Sequence, residues 1–189
     1  MKFKYLILGA LAGAGVTTAA FIPTMRSQAN QPTVAQLVLS EAGDTVAGDT
    51  DSLTFTALID DYAEAWSTED GTLNVEAIEK LYASDPDLIF YDAILPERFV
   101  GFEDMIRSGE ELFANLNRMT LTPTGDLDVR RYGDRLAWTT TVIDMEAVSA
   151  EGLITTFPMR QTAIWEQRGE SWVMVHEHVS APIGTGSGQ

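Results

Sequence analysis

Between residues 52 and 116 apolar side chains recur at three- and four-residue steps, and beyond residue 119 they fill long, nearly unbroken runs. The first pattern predicts helices. Leu58, Ile59, Tyr62, Ala65 and Trp66 form one stripe, with Ser52 or Thr54 placed to cap it, so a helix is expected to about Ser67. Val75, Ile78, Leu81 and Tyr82 predict a second, shorter helix, which Asp85-Pro86 ends. Residues 88–91 read as a short strand, followed by a loop through Pro96 and Gly101. Met105, Ile106, Leu112, Phe113 and Leu116 then mark the apolar face of a third helix over 102–116.

The second pattern predicts strands at 120–132, 135–148, 153–167 and 172–180. The breaks between them (Gly133-Asp134, Ala150-Glu151-Gly152 and Arg168-Gly169-Glu170) are short enough for hairpins. Sequential hairpins make an antiparallel sheet, and strands of a dozen residues must twist and curl. The fold class is therefore α+β, a cone-shaped curved antiparallel sheet packed against three N-terminal helices. Strict alternation along the last strand puts Trp172, Met174, His176, His178 and Ser180 on one face, and Val173, Val175, Glu177 and Val179 on the other. Neither face is fully polar. One is expected to take the helices and the other a second copy of the chain, giving a homodimer through the sheet.

The amino terminus breaks with this pattern. Lys2 and Lys4 precede an uncharged run from Tyr5 to Phe21, and small residues follow, Ser27 and Ala29 among them. That is the layout of a secretory signal, so residues 1–29 are expected to direct export to the periplasm or the medium. An uncleaved membrane anchor is the alternative, and the only route to a membrane partner. Residues 30–52 read as an acidic linker in which 34–39 form a short helix, residues 53–182 as the domain, and 183–189 as a flexible tail. The 189 residues carry a formal charge of −16; without the first 29, nine basic residues face 28 acidic ones, a charge of −19. A polyanion repels phosphate backbones, which argues against nucleic acid as a partner. With no cysteine there is neither a thiol nucleophile nor a thiolate metal site.

The chain's two histidines, His176 and His178, stand two apart on one strand. Imidazoles so placed serve as acid/base groups, as metal ligands, or as polar contacts in a pocket. No third histidine exists and Glu177 faces away, so no metal and no other cofactor is expected. Trp66 adds aromatic bulk for core or cavity.

Tyr62-Ala-Glu-Ala-Trp66, Leu81-Tyr82-Ala83, Tyr91-Asp92, Gly101, Arg160-Gln-Thr162 and the closing Trp172-Val-Met-Val-His-Glu-His178-Val-Ser180 together resemble the nuclear transport factor 2-like superfamily. Within it they are most similar to the SnoaL-like group, relatives of polyketide cyclases and ketosteroid isomerase. The resemblance implies a cone with a pocket between helices and sheet, commonly in a dimer. It implies no single activity, since the superfamily holds isomerases, cyclases, dehydratases, epoxide hydrolases and non-enzymatic binding domains. By the isomerase pattern Asp92 resembles the proton-shuttling base and Tyr62 the oxyanion donor. Arg160 stands where that pattern has a protonated acid, and a guanidinium stays charged. Arg160 is then expected to clamp a carboxylate or carbonyl, or to pair with Asp92.

Three readings follow. The first is an exported receptor for a small, partly apolar, carboxylate- or carbonyl-bearing molecule, held by Arg160, Trp66, His176 and Ser180. The second is a metal-independent acid/base enzyme with Asp92, His178 and Tyr62 as its catalytic groups. The third is a dimerisation module without ligand. The first two require Asp92, Arg160 and His178 to converge on one hollow.

Overall fold

The computed structural model describes residues 44–46, 48–86, 88–93 and 97–182. The expected signal at 1–29, the helix at 34–39, Pro96 and the tail at 183–189 lie outside the described residues. In chain order the elements are β1 (Asp44–Val46), α1 (Asp49–Trp66), α2 (Val75–Glu79), β2 (Ile89–Tyr91), β3 (Arg98–Val100), α3 (Phe102–Phe113), β4 (Leu116–Tyr132), β5 (Leu136–Ser149), β6 (Ile154–Arg168) and β7 (Ser171–Ser180). The strands form a seven-stranded sheet in the order β1-β4-β5-β6-β7-β2-β3, with the helices against one face.

The four long strands form the expected antiparallel meander. The purely antiparallel expectation needs one correction: β2 runs parallel to β7, with Phe90 opposite Glu177 and Tyr91 opposite His178. A parallel neighbour requires a crossover, and the whole α3–β7 segment supplies it. Register shifts on β4, at Leu116/Arg118 and at Pro123/Leu127, leave extra residues that bend the sheet around the helices. Gly125, with φ at 83°, sits inside the second of these bends.

Helix α1 begins at Asp49, earlier than the Ser52 or Thr54 cap predicts. It buries Phe55, Ile59, Tyr62, Ala63 and Trp66 against the sheet. Its end is tied to β4: the Ser67 hydroxyl accepts from Leu121 N at 3.0 Å, and Thr68 and Met119 exchange backbone bonds of 2.8 and 2.9 Å. Gly71 then turns so tightly that a Cβ there would lie 2.2 Å from the Leu116 carbonyl oxygen. Helix α2, capped by Asn74, stops at Glu79 instead of reaching Tyr82. The chain leaves it to bond β7, Met174 N donating to Leu81 O at 2.7 Å and Ala83 N to Met174 O at 2.8 Å. Those two bonds fix Tyr82 in the interior, where it is 2% exposed.

One aromatic cluster of the core joins Phe55, Trp165 and Trp172, over which the Arg131 guanidinium stacks at 4.5 Å while pairing with Asp51 at 2.8 Å. A second surrounds Trp66, which stacks on Phe90 and meets Tyr82 edge-on. The candidate site grows out of this second cluster.

Candidate functional site

Strand β7 does not alternate as its sequence suggests. On β6, Ile164 faces His176, but the next residue, Trp165, faces Met174, so Val175 is an extra residue in a β-bulge. The bulge shifts the alternation by one. Trp172 and Met174 point into the core before it; Glu177 and Val179 point in after it. His176, His178 and Ser180, expected on the core face with Trp172 and Met174, stand on the outer face instead.

Glu177 is consequently fully buried. Tyr82, delivered by the turn after α2, donates its hydroxyl to Glu177 Oε2 and accepts from Trp66 Nε1 at 3.1 Å. Gln161, on β6, donates Nε2 to Glu177 Oε1 at 2.7 Å. The Tyr62 side chain of α1 faces the same carboxyl. No cation neutralises Glu177 among the described residues. Burial pushes its carboxyl up to about 7, against the pull of these hydrogen bonds, and the charge of nearby Asp92 adds to the rise. Burial and the charge of Glu177 likewise hold the Tyr62 and Tyr82 hydroxyls well above the usual tyrosine value. Both phenols therefore stay neutral and remain donors.

Beside this network lies a cavity of about 50 Å³ between α1, α3 and the inner face of the sheet. Trp66 and Phe113 wall it on the helix side, and Phe90, Met119, Met145 and Met159 on the sheet side. Tyr62 and Asp92 supply its polar end. The volume is that of one or two water molecules, far below the several hundred cubic ångströms of a typical ligand pocket. Three methionines in the wall make it readily expandable, because an unbranched thioether repacks at low cost. A wider groove of about 610 Å³ is lined by Thr120, Thr122, Asp144, Glu146 and Thr156, which alternate away from the core. It is open to water, and its Arg118 is already paired with Glu146, so the inner cavity is the better site for chemistry.

The SnoaL-like domain family matches the chain over residues 55–184. The chain belongs to that family. No curated protein matches it in sequence. Solved structures show the same fold at low identity. A nuclear transport factor 2-like superfamily protein from Salmonella enterica superimposes with a TM-score of 0.62 at 20% identity, covering 76% of this chain and 100% of its own. A candidate dehydratase of the same superfamily from Streptomyces avermitilis gives 0.58 at 14%, covering 72% and 100%. The association domain of the C. elegans kinase CaMKII gives 0.53 at 18%, covering 69% and 95%.

In this SnoaL-like domain the expected site residues divide between the two sheet faces. Tyr62, Trp66 and Asp92 line the inner cavity together. Arg160 and Ser180 face each other across β6 and β7 on the outer side, Arg160 exposed and Ser180 half-buried. Arg160 makes no ion pair among the described residues, so the expected pairing with Asp92 does not form, and its place on the outer side keeps it away from the inner cavity. His178 is exposed and His176 half-buried, both with Tyr91 against their ring edges. The convergence of Asp92, Arg160 and His178 is corrected: a sheet separates the first from the other two. Glu177, Gln161 and Tyr82 are the members that sequence reasoning missed. One signal was available, an acid set between Val173, Val175 and Val179.

Proposed function

We propose that this SnoaL-like domain binds a small, uncharged, mainly apolar molecule in the inner cavity, with a carbonyl or hydroxyl oxygen at the Tyr62–Asp92 end. The observation that carries this reading is the lining: Tyr62 and Asp92 converge from separate segments at one end of an otherwise apolar hollow. A carboxylate is disfavoured there, since Asp92 faces the cavity and Glu177 lies directly behind Tyr62. Titration calorimetry with cyclohexanone and with cyclohexanecarboxylate tests the proposal. The ketone is expected to bind and the carboxylate to fail, with Asp92→Asn admitting the carboxylate. Tighter binding of the carboxylate by the wild type would overturn it.

A second reading, proton transfer on the bound molecule, is favoured by two carboxyls in unlike surroundings at one site: Glu177 sealed in the core and Asp92 at the cavity. Asp92 would take the proton alpha to a carbonyl while Tyr62 donates to its oxygen. The expected result is enzyme-dependent deuterium exchange into cyclohexanone that drops roughly 100-fold or more in Asp92→Asn. Absence of exchange in the wild type, with binding intact, leaves a receptor.

Two further parts of the proposal rest on other features. The charged-then-apolar layout of residues 1–29 supports export; an intact mass that still includes them in exported protein would count against cleavage. The outer face, where Tyr91 and Ile164 are exposed beside half-buried Trp138 and Val142, supports pairing with a second copy. The likeness to an association domain fits that pairing.

A further inference from the structure

Trp66 is the largest side chain in the cavity wall, and its ring is fixed from both ends. It is the last residue of α1, a place where helices ordinarily fray. Its indole has one polar group, Nε1–H, which can only donate. That hydrogen goes to the buried Tyr82 hydroxyl at 3.1 Å. Tyr82 accepts it and sends its own hydrogen onward to Glu177 Oε2. The run Trp66–Tyr82–Glu177 therefore has a single sense, from the cavity wall to an acceptor on β7. Tyr82 cannot follow a moving indole, because Leu81 and Ala83 on either side of it bond Met174. At the far edge of the indole stands Gly109, in the interior of α3. Glycine weakens a helix there, and its φ is not positive, so the backbone does not call for it. What it supplies is room. A Cβ at Gly109 would lie 3.4 Å from Cζ3 and 3.6 Å from Cη2 of Trp66, and 3.2 Å from Leu73 Cδ2.

Held in this way, the indole lies within 5° of parallel to Phe90, with ring centroids 6.4 Å apart, whereas Tyr62 and Phe113 meet it at 48° and 57°. Both members of the parallel pair line the cavity. Ring faces that share one orientation give a flat molecule a surface to stack on, while a puckered ring meets them only through its projecting hydrogens. An indole released from Tyr82 is free to tilt, and the shared orientation goes with it. We propose that Tyr82 is a positioning residue that sets the specificity of the cavity. By holding Trp66 parallel to Phe90, it makes the cavity prefer planar, unsaturated rings to saturated rings that carry the same oxygen. Tyr82 is not among the residues that line the cavity and acts only through Trp66.

This inference rests on binding in the inner cavity, and the test separates the two. Phenol and cyclohexanol present the same hydroxyl on a flat and on a puckered ring. Binding of each is followed through the methyl resonances of Met119, Met145 and Met159, which line the cavity. The wild type is expected to bind phenol about tenfold more tightly than cyclohexanol. Tyr82→Phe keeps the ring that fills the core and removes the acceptor of the indole N–H. In it the preference is expected to shrink to about twofold, with cyclohexanol affinity unchanged. The Trp66 indole N–H resonance should move upfield in the same variant, which reports the lost bond. Should Tyr82→Phe not fold, Trp66→Phe severs the bond from its other end, and the same loss of preference is expected. A tenfold preference kept in either variant, or an equal weakening of both probes in Tyr82→Phe, overturns the role of Tyr82. Cyclohexanol bound as tightly as phenol by the wild type overturns this inference and leaves the binding site standing. No methyl response to either probe overturns both.

Discussion

The two faces of the central sheet carry comparable sets of polar groups and treat them in opposite ways. Inside, Glu177 is sealed among Tyr62, Tyr82 and Gln161, next to a cavity that Asp92 reaches. Outside, His176 and His178 lie against Tyr91, and Arg160 is exposed opposite Ser180. His176, Glu177 and His178 are consecutive, so composition does not separate the two environments. The extra residue at Val175 does. The same carboxyl on the outer face would be solvated and ionised; the same imidazoles on the inner face would have to bury a polar ring in the place of Glu177 and Val179.

That comparison breaks most completely if the bulge is removed. Deleting Val175 restores strict alternation, so that either Glu177 leaves the core and the histidines enter it, or the strand slips out of register. The expected outcome is loss of cooperative folding, because several core contacts and the carboxyl network fail together. Thermal unfolding followed by circular dichroism checks this. A cooperative transition within a few degrees of wild type would mean the bulge does not decide the faces.

Substitutions on the outer face should do far less. Arg160→Ala and His178→Ala remove exposed groups without an ion pair among the described residues, so each should change unfolding free energy by no more than about 0.5 kcal/mol. Chemical denaturation measures it. If the outer face pairs with a second copy, these variants shift the light-scattering mass toward one chain while cavity binding is kept. A cost of several kcal/mol in a monomer, or a loss of cavity binding, would place them in the interior after all.

Most of the fold was legible in the sequence, because long periodic segments report their own secondary structure. The meander from β4 to β7 and the stripe of α1 follow from period and turn residues alone. What escaped depends on contacts remote in sequence. Helix α2 stops early because Leu81 and Ala83 exchange bonds with Met174. The parallel seating of β2 requires the whole crossover, and β1 and β3 are three-residue strands defined only by their partners.

The site divided along the same line. Tyr62 and Asp92 entered the candidate set through the resemblance to the isomerase pattern and Trp66 as an aromatic on the helix stripe, and all three line the cavity, whereas the bulge that carries Glu177 inward has no marker in the residues around Val175. An error of one residue in register moved the histidines from outside to inside on paper. The valines flanking Glu177 were the available warning. An isolated acid in an apolar row is either exposed by design or buried with partners, and here Tyr82 and Gln161 are those partners.

The measurement that tests this division most directly is unfolding free energy against pH for wild type and for Glu177→Gln. With its carboxyl raised from 4.5 to about 7 in the folded protein, Glu177 binds its proton more tightly folded than unfolded. Its contribution is fully present below pH 4.5 and is lost as pH rises toward 7 and above. The account predicts that Glu177→Gln gains about 3 kcal/mol on wild type between pH 4 and pH 8. Parallel profiles for the two proteins would show that Glu177 titrates as an exposed acid, and would contradict its placement inside.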